Sequence, residues 1–321
     1  MSEIELLTVG RNVVDLYAEQ LRTPLRQVES FRKSVGGTAT NVAVAAARLG
    51  HRAALLTRVG DDPMGDYMRW ALEHTFGVDT RFVAVDPERR TSLAFATLED
   101  PAEPDIIFYR DRAPDLSIES SDVERGVVEA VPIFWFPSGA LSAGPSRSTI
   151  HELLSWRGRR RHTVLDLDWR PHFWPDAAAA TAELDRVLDL VTMTIGNRTE
   201  CEIAIGESDP ERAAEALLAR GMEAAIVKLG GDGVLVATAD GVRERIAPYP
   251  VDVVCGLGAG DAFGGALCHG LLSGWDLPRC ARAGNAAGAI VAARLMCADD
   301  MPYADEIEAV LAGTPVADVA G

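Results

Sequence analysis

Small residues run up to an acid in Cys255-Gly-Leu-Gly-Ala-Gly-Asp261, immediately before the apolar, helix-forming stretch Ala262–Leu272. At such a helix start the N–H groups of Gly258, Ala259 and Gly260 converge on an anion, and the lack of side-chain bulk admits a phosphate. Asp261 is a poor phosphate ligand there but a good proton acceptor for a hydroxyl attacking that phosphate. The plainer alternative is a Gly-rich turn whose Asp caps the helix. A second stretch, Val35-Gly36-Gly37-Thr-Ala-Thr-Asn41, puts an asparagine one turn into an Ala-rich helix that ends at Gly50. Gly36 and Gly37 can hinge a moving segment and Asn41 can hydrogen-bond a polyol, against the simpler reading of a tightly packed helix start. Other phosphate-binding motifs are absent: no Gly-x-Gly-x-x-Gly joins a strand to a helix, and neither lysine follows a glycine.

Those groups need a scaffold that presents strand ends and helix starts together. Ile4–Val9, Ala53–Val59, Thr163–Asp168, Val191–Ile195 and Ala224–Leu229 are short apolar runs suited to buried strands. Helical patterns alternate with them, over 38–49, around Met64–Leu72, and over 177–190 and 210–220, with 261–311 almost entirely helical. Alternation of this kind predicts α/β class: a doubly wound, mainly parallel sheet with helices on both faces. Thr38 and Thr40 are candidate caps for the first of these helices. Gly233–Ile246 reads as a late antiparallel hairpin turning at Ala239-Asp240-Gly241. Two stretches break the rhythm, Arg11–Val35 and Thr91–Arg110; the second has Thr-Ser-Leu-Ala-Phe-Ala-Thr-Leu and Asp-Ile-Ile-Phe-Tyr-Arg flanking the turn-rich Glu99–Pro104. They read as hairpin-like insertions, at about 11–35 and 89–114, forming a small β lid on one domain that spans 1–321.

The chain of 321 residues carries 31 Lys+Arg against 48 Asp+Glu, a formal charge of -17, so its field repels nucleic acid and anionic membranes. An anionic small substrate therefore has to be held by local positive groups. Only Lys33 and Lys228 are lysines, and Lys228 ends a strand where it suits a phosphate. Five scattered cysteines with no Cys-x-x-Cys indicate neither a disulfide framework nor zinc, and the six histidines have no ligand spacing. The acidic N-terminus and the lack of a long apolar run lead to the expectation of a cytoplasmic protein.

The two small-residue stretches resemble the signatures of the ribokinase-like (PfkB) sugar kinases: Gly-Gly-x-x-x-Asn-x-Ala near the N-terminus and Gly-Ala-Gly-Asp near the C-terminus. Asn197-Arg-Thr-Glu200 is similar to the family's Asn-x-x-Glu, and Val227-Lys-Leu-Gly-Gly-Asp-Gly233 to its nucleotide segment, so the resemblance spans essentially the whole chain. It implies ATP and Mg²⁺, with Asp261 as base over the Gly258–Gly260 anion hole. Lys228, Gly230, Gly233, Asn197 and Asn285 would lie on the nucleotide, and Glu200 would reach Mg²⁺ through water. Gly-Arg-Asn-Val-Val-Asp-Leu-Tyr, Ile-Ile-Phe-Tyr-Arg, Asp-Leu-Asp-Trp-Arg-Pro and the tail Met296–Leu311 further resemble the branch that phosphorylates 5-dehydro-2-deoxy-D-gluconate in inositol catabolism. Asp15 then matches the hydroxyl-binding acid at the end of the first strand, and Gly36, Gly37 and Asn41 the sugar site. Arg110 and Arg170 match positions that hold a sugar-acid carboxylate, which a guanidinium can clamp bidentately; each could instead pair with a structural aspartate. Lid strands of this family often pair between subunits, which implies a homodimer. Cys255 departs from the Asp or Asn usual six residues before the base; a thiol suits a hard monovalent cation poorly, putting K⁺ activation in doubt. Two kinase alternatives share the fold, acting on 2-keto-3-deoxygluconate or on a neutral ketose such as fructose. A non-catalytic nucleotide or sugar sensor is the alternative of another class.

Overall fold

Apolar runs without a polar face become strands covered on both sides, and here they build the middle of one large sheet. The structure is a computed structural model and describes residues 3–100 and 104–321; residues 101–103, within the Glu99–Pro104 turn, lie outside the described residues, as do Met1 and Ser2 at the N-terminus. In chain order the strands are β1 (Leu6–Val9), β2 (Val13–Ala18), β3 (Phe31–Gly36), β4 (Ala53–Gly60), β5 (Val83–Asp86), β6 (Leu93–Thr97), β7 (Asp105–Tyr109), β8 (Ile133–Pro137), β9 (Thr163–Asp166), β10 (Met193–Asn197), β11 (Ala224–Lys228), β12 (Val234–Thr238) and β13 (Arg243–Ile246). Nine of them form a sheet ordered β13-β12-β11-β10-β9-β8-β1-β4-β5, all parallel except that β12, near one edge, pairs antiparallel with both β11 and β13. Helices cover both faces, as the alternation predicts. The strand order reverses beside β1, and the carboxyl ends of the strands there are where such sheets place ligands. None of the helices among the described residues is long and apolar enough to cross a membrane.

The sequence reading assigns no strand between Arg110 and Thr163, yet β8 lies beside β1 in mid-sheet with every residue buried. Ile-Phe-Trp-Phe-Pro is short and uniformly apolar, and such a run has no periodicity to separate strand from buried helix. The threonines do not cap the helix Thr38–Arg48. Gly37 does, at φ 101° and without a side-chain cap, and a Cβ there would lie 2.4 Å from the Arg11 carbonyl oxygen. Thr38 Oγ1 instead donates to Asp168 at 2.7 Å and Thr40 Oγ1 to the Arg11 carbonyl at 3.1 Å, so both are used to join segments.

A second sheet, ordered β3-β2-β6-β7, pairs two antiparallel hairpins through parallel β2 and β6. Strand alternation gives it two faces. Asp15, Tyr17, Ala94, Ala96, Ile106 and Phe108 point into a cavity, while Phe31, Phe95 and Tyr109 stack edge to face at 5.2 and 5.4 Å on the other side.

Two helices carry the paired site groups into register. Gly265, on the helix Ala259–Leu272, packs so close to Thr38–Arg48 that a Cβ would sit 2.2 Å from the Ala45 Cβ. The small residues in both sequences therefore allow a helix approach that larger side chains would block.

Candidate active site

That approach brings Asn41 Nδ2 to 2.7 Å from Asp261 Oδ2, to which it donates a hydrogen bond. Asp261 is in the first turn of its helix. Burial and the nearby Asp168 carboxylate push its pKa up to about 6, against the opposing pull of Asn41, Arg170 and Arg11. Above that pH it is a carboxylate with one oxygen fixed and the other able to accept a proton.

The helix begins at Gly258, which has φ 80°; a Cβ there would lie 2.6 Å from Cys297 Sγ, so only glycine fits. Gly260 approaches the Lys228 ammonium so closely that a Cβ would be 3.4 Å from Nζ. Burial opposes the Lys228 charge, but Asp166 at 3.9 Å, with Glu200, Asp168 and Asp261, holds the proton and raises its pKa. Lys228 ends β11 opposite Asn197 at the end of β10, and Asp166 ends β9. The parallel register thus sets one cation and two polar groups in a row beside the helix start.

The helix start is a partition. On one side Lys228, Gly230, Gly233, Ala259, Gly260 and Asn285 line an open cleft of about 540 Å³ with an apolar wall including Phe263. On the other, Gly258 and Asp261 face a smaller cavity of about 50 Å³ together with Arg11, Asp15, Gly37, Asn41 and Arg170. Asn285 Nδ2 donates to the Ala247 carbonyl at 3.0 Å, which fixes the cleft's far edge.

Asp15 is not at the end of the first strand. β1 stops at Val9, and Asp15 sits within β2 on the second sheet, opposite Ser34 and Ala94. Gly36 makes room for it, since a Cβ would fall 2.0 Å from Asp15 Oδ2. Burial raises its pKa to about 7, while Arg11 and a 3.2 Å hydrogen bond from the Tyr17 hydroxyl pull the other way. Tyr17 in turn accepts from the Cys297 N–H at 3.2 Å, which pins the second sheet to the helix start.

Arg170 reaches the cavity with its Nε 3.0 Å from Asp168 Oδ1. Arg110 does not join it. Its guanidinium is ion-paired with buried Asp115, 4.5 Å over the Phe173 ring, and it lines a separate hollow. Asn197 and Glu200 form a capping box: Glu200 N–H donates to Asn197 Oδ1 at 2.9 Å, and Asn197 N–H to Glu200 Oε2 at 2.6 Å. Cys255 is buried, and burial pushes its thiol pKa up. The sequence reading gives no site role to Arg11, Thr38, Asp166, Tyr17 or Cys297, though Arg11 carried a signal in following Gly10 at the end of β1.

The sequence profile described as pfkB family carbohydrate kinase matches residues 3–304. The chain belongs to this family. It is thus a carbohydrate kinase, a phosphotransferase acting on a hydroxyl group, and its sheet with flanking helices is the ribokinase-like fold. The 5-dehydro-2-deoxygluconokinase of Geobacillus thermodenitrificans (strain NG80-2) is 31% identical over 313 residues, covering 95% of this chain and 92% of that one. Fructokinase from Vibrio cholerae O395, solved with fructose, ADP and calcium ion, is 26% identical with TM-score 0.84, covering 96% of this pfkB kinase and 99% of that chain. A structure from E. coli provisionally named Ribokinase II, in complex with ATP and Mg²⁺, shares the fold at 24% identity and TM-score 0.87, covering 96% and 99%.

Proposed function

We propose that this pfkB kinase transfers the γ-phosphoryl group of ATP to the primary hydroxyl of a sugar acid, 5-dehydro-2-deoxy-D-gluconate, giving the 6-phosphate. The observation that carries the reading is Asp261, held by Asn41 where a guanidinium-lined cavity meets an open cleft through one helix start. The 31% identical relative of that name supports the acceptor, and the ATP- and ADP-bound neighbours support the donor. Asp261 accepts the hydroxyl proton as the oxygen attacks in line. The Gly258–Gly260 amides and Lys228 offset the charge spreading over the transferred group. Asp15 and Asn41 orient the acceptor's hydroxyls.

Mg²⁺ fits as an ion carried mainly by phosphates and water: no cluster of three His, Cys, Asp or Glu among the described residues could hold a metal, and Glu200 has one oxygen committed to its capping box. When bound it would neutralise phosphate charge, with the other Glu200 oxygen facing its water shell. The neutral, buried thiol at Cys255 is a poor ligand for a hard monovalent cation such as K⁺. The second sheet covers the acceptor cavity and serves as a lid that swings about Gly36–Gly37 to admit the acceptor and excludes water when closed. Five free, buried cysteines suit a reducing cytoplasm, where ATP is abundant.

The test is ADP release with MgATP across 5-dehydro-2-deoxygluconate, 2-keto-3-deoxygluconate, fructose and ribose, with a no-acceptor blank. Strong preference for the first is expected. Turnover only with a neutral sugar would sink the acid reading, and none above blank would favour a sensor.

Two further results are expected. As Asp261 is proton-free only above about pH 6, kcat/KM for the acceptor is expected to fall roughly tenfold per pH unit below it; a flat profile down to pH 5 would exclude Asp261 as the base. The lid also ends in an edge strand, β7, with Ile107 and Tyr109 38% and 64% exposed, which suits pairing with a second copy of the chain. A dimer by analytical ultracentrifugation that dissociates on Tyr109→Asp with Ile107→Lys is expected, and a monomer at micromolar concentration would remove the pairing.

A further inference from the structure

Arg11 leaves the end of β1 just before the chain enters the lid, and it is only 7% exposed. Its guanidinium carbon lies 5.3 Å from the ring centroid of Phe108, on lid strand β7, and 5.1 Å from that of Phe173, on the body. Two aromatic faces fix the plane of the fork. Among the described residues its side chain makes one hydrogen bond, from Nη2 to Thr38 Oγ1 at 3.2 Å. The nearest carboxylate, Asp168, is 4.0 Å away and already accepts from Thr38 and Arg170, at 2.7 and 3.0 Å. Its other N–H groups are left to meet an anion from the cavity. Those donors border the cavity that also holds Asp15, Asn41, Arg170 and Asp261. Arg110, which the sequence resemblance assigns to the carboxylate together with Arg170, is instead ion-paired with Asp115 and lies 4.5 Å from the Phe173 ring centroid.

We propose that Arg11, with Arg170, grips the carboxylate of the acceptor and sets the preference for an acid over a neutral sugar, while Arg110 supports Phe173 from behind. Asp168 is shared by the two guanidiniums, hydrogen-bonded to Arg170 at 3.0 Å and 4.0 Å from Arg11, and leaves their other N–H groups for one anion. Phe108 comes from the lid, so closure completes the stack around Arg11 and couples carboxylate binding to water exclusion.

The proposal rests on the sugar-acid reading, and the experiment separates the two. The ratio of kcat/KM for 5-dehydro-2-deoxygluconate to that for fructose is measured in the wild type and in Arg11→Met, Arg11→Lys and Arg110→Met, with competitive inhibition constants replacing kcat/KM where fructose turns over too slowly. Arg11→Met is expected to lower the ratio about 100-fold, mainly through KM for the acid, as loss of a charged hydrogen-bonding partner does. Arg11→Lys keeps the charge without the fork and recovers part of the loss. Arg110→Met is expected to depress both acceptors together, changing the ratio by less than about threefold. Equal loss for both acceptors in Arg11→Met, or a fall in the ratio in Arg110→Met instead, would overturn the assignment while leaving the acid reading intact. A wild type without preference for the acid would overturn both. Should Arg11→Met not fold, the ratio is read from Arg11→Gln, with Arg11→Lys expected to fall between it and the wild type.

Discussion

Asp261→Asn is expected to lower kcat about 10³-fold while changing ATP affinity by less than about threefold. The amide is the same size, and its oxygen can still accept the hydrogen bond that Asn41 Nδ2 now makes at 2.7 Å. The geometry of the helix start is therefore kept and only the proton acceptor is lost. The variant also separates base from cap. Asp261 stands within the first turn, where a carboxylate stabilises a helix by charge alone, and an amide there weakens the helix only slightly. Single-turnover phosphoryl transfer and nucleotide titration read the two effects apart, and the part of the acid limb set by Asp261 near pH 6 is expected to go with the carboxylate, leaving any contribution from Asp15 near pH 7. Turnover at the wild-type rate would remove Asp261 as the base.

Gly258→Ala is expected to cost about 10²- to 10³-fold in kcat, the scale on which displaced oxyanion donors are felt. Two causes act together. The residue sits at φ 80°, which a side chain disfavours by roughly 1–2 kcal/mol, and its Cβ would lie 2.6 Å from Cys297 Sγ. The helix start then has to shift away from Cys297, carrying the Ala259 and Gly260 amides with it. Gly274→Ala supplies the comparison: φ is 72° there and nothing lies within 4 Å of the added carbon, so it measures backbone strain without the clash. Cys297→Gly placed over Gly258→Ala is expected to restore part of kcat by removing the contact. Unchanged kcat in Gly258→Ala would exclude the amides as charge-stabilising donors.

The chemistry-bearing residues were legible because their signals are local. A glycine run that stops at an acid before an apolar helix specifies an anion-binding helix start without reference to the rest of the chain. Apolar runs alternating with amphipathic ones specify a parallel sheet covered by helices for the same reason, and β1, β4, β9, β10 and β11 lie within two residues of where that pattern puts them. β8 and β5 were not legible. A fully buried strand such as β8 and a four-residue edge strand such as β5 are too short or too uniform to carry a periodicity of their own and are defined by what packs on them.

What a side chain meets is decided by the tertiary structure. Arg11 and Arg110 are both arginines beside the lid, and nothing within a few residues of either says which faces the cavity. The choice follows from Asp115, which neutralises Arg110, and from Phe108 and Phe173, which brace Arg11 from two segments far apart in the chain. Asp15 likewise joins Asp261 only because the lid sheet folds over the partition. The sequence by itself determined the kinase signatures, the parallel α/β class and the helix start that can bind phosphate, since each arises from neighbouring residues. The tertiary structure alone decided which charges are spent on internal ion pairs and which remain facing the cavity, because that depends on contacts between segments that the chain order does not encode.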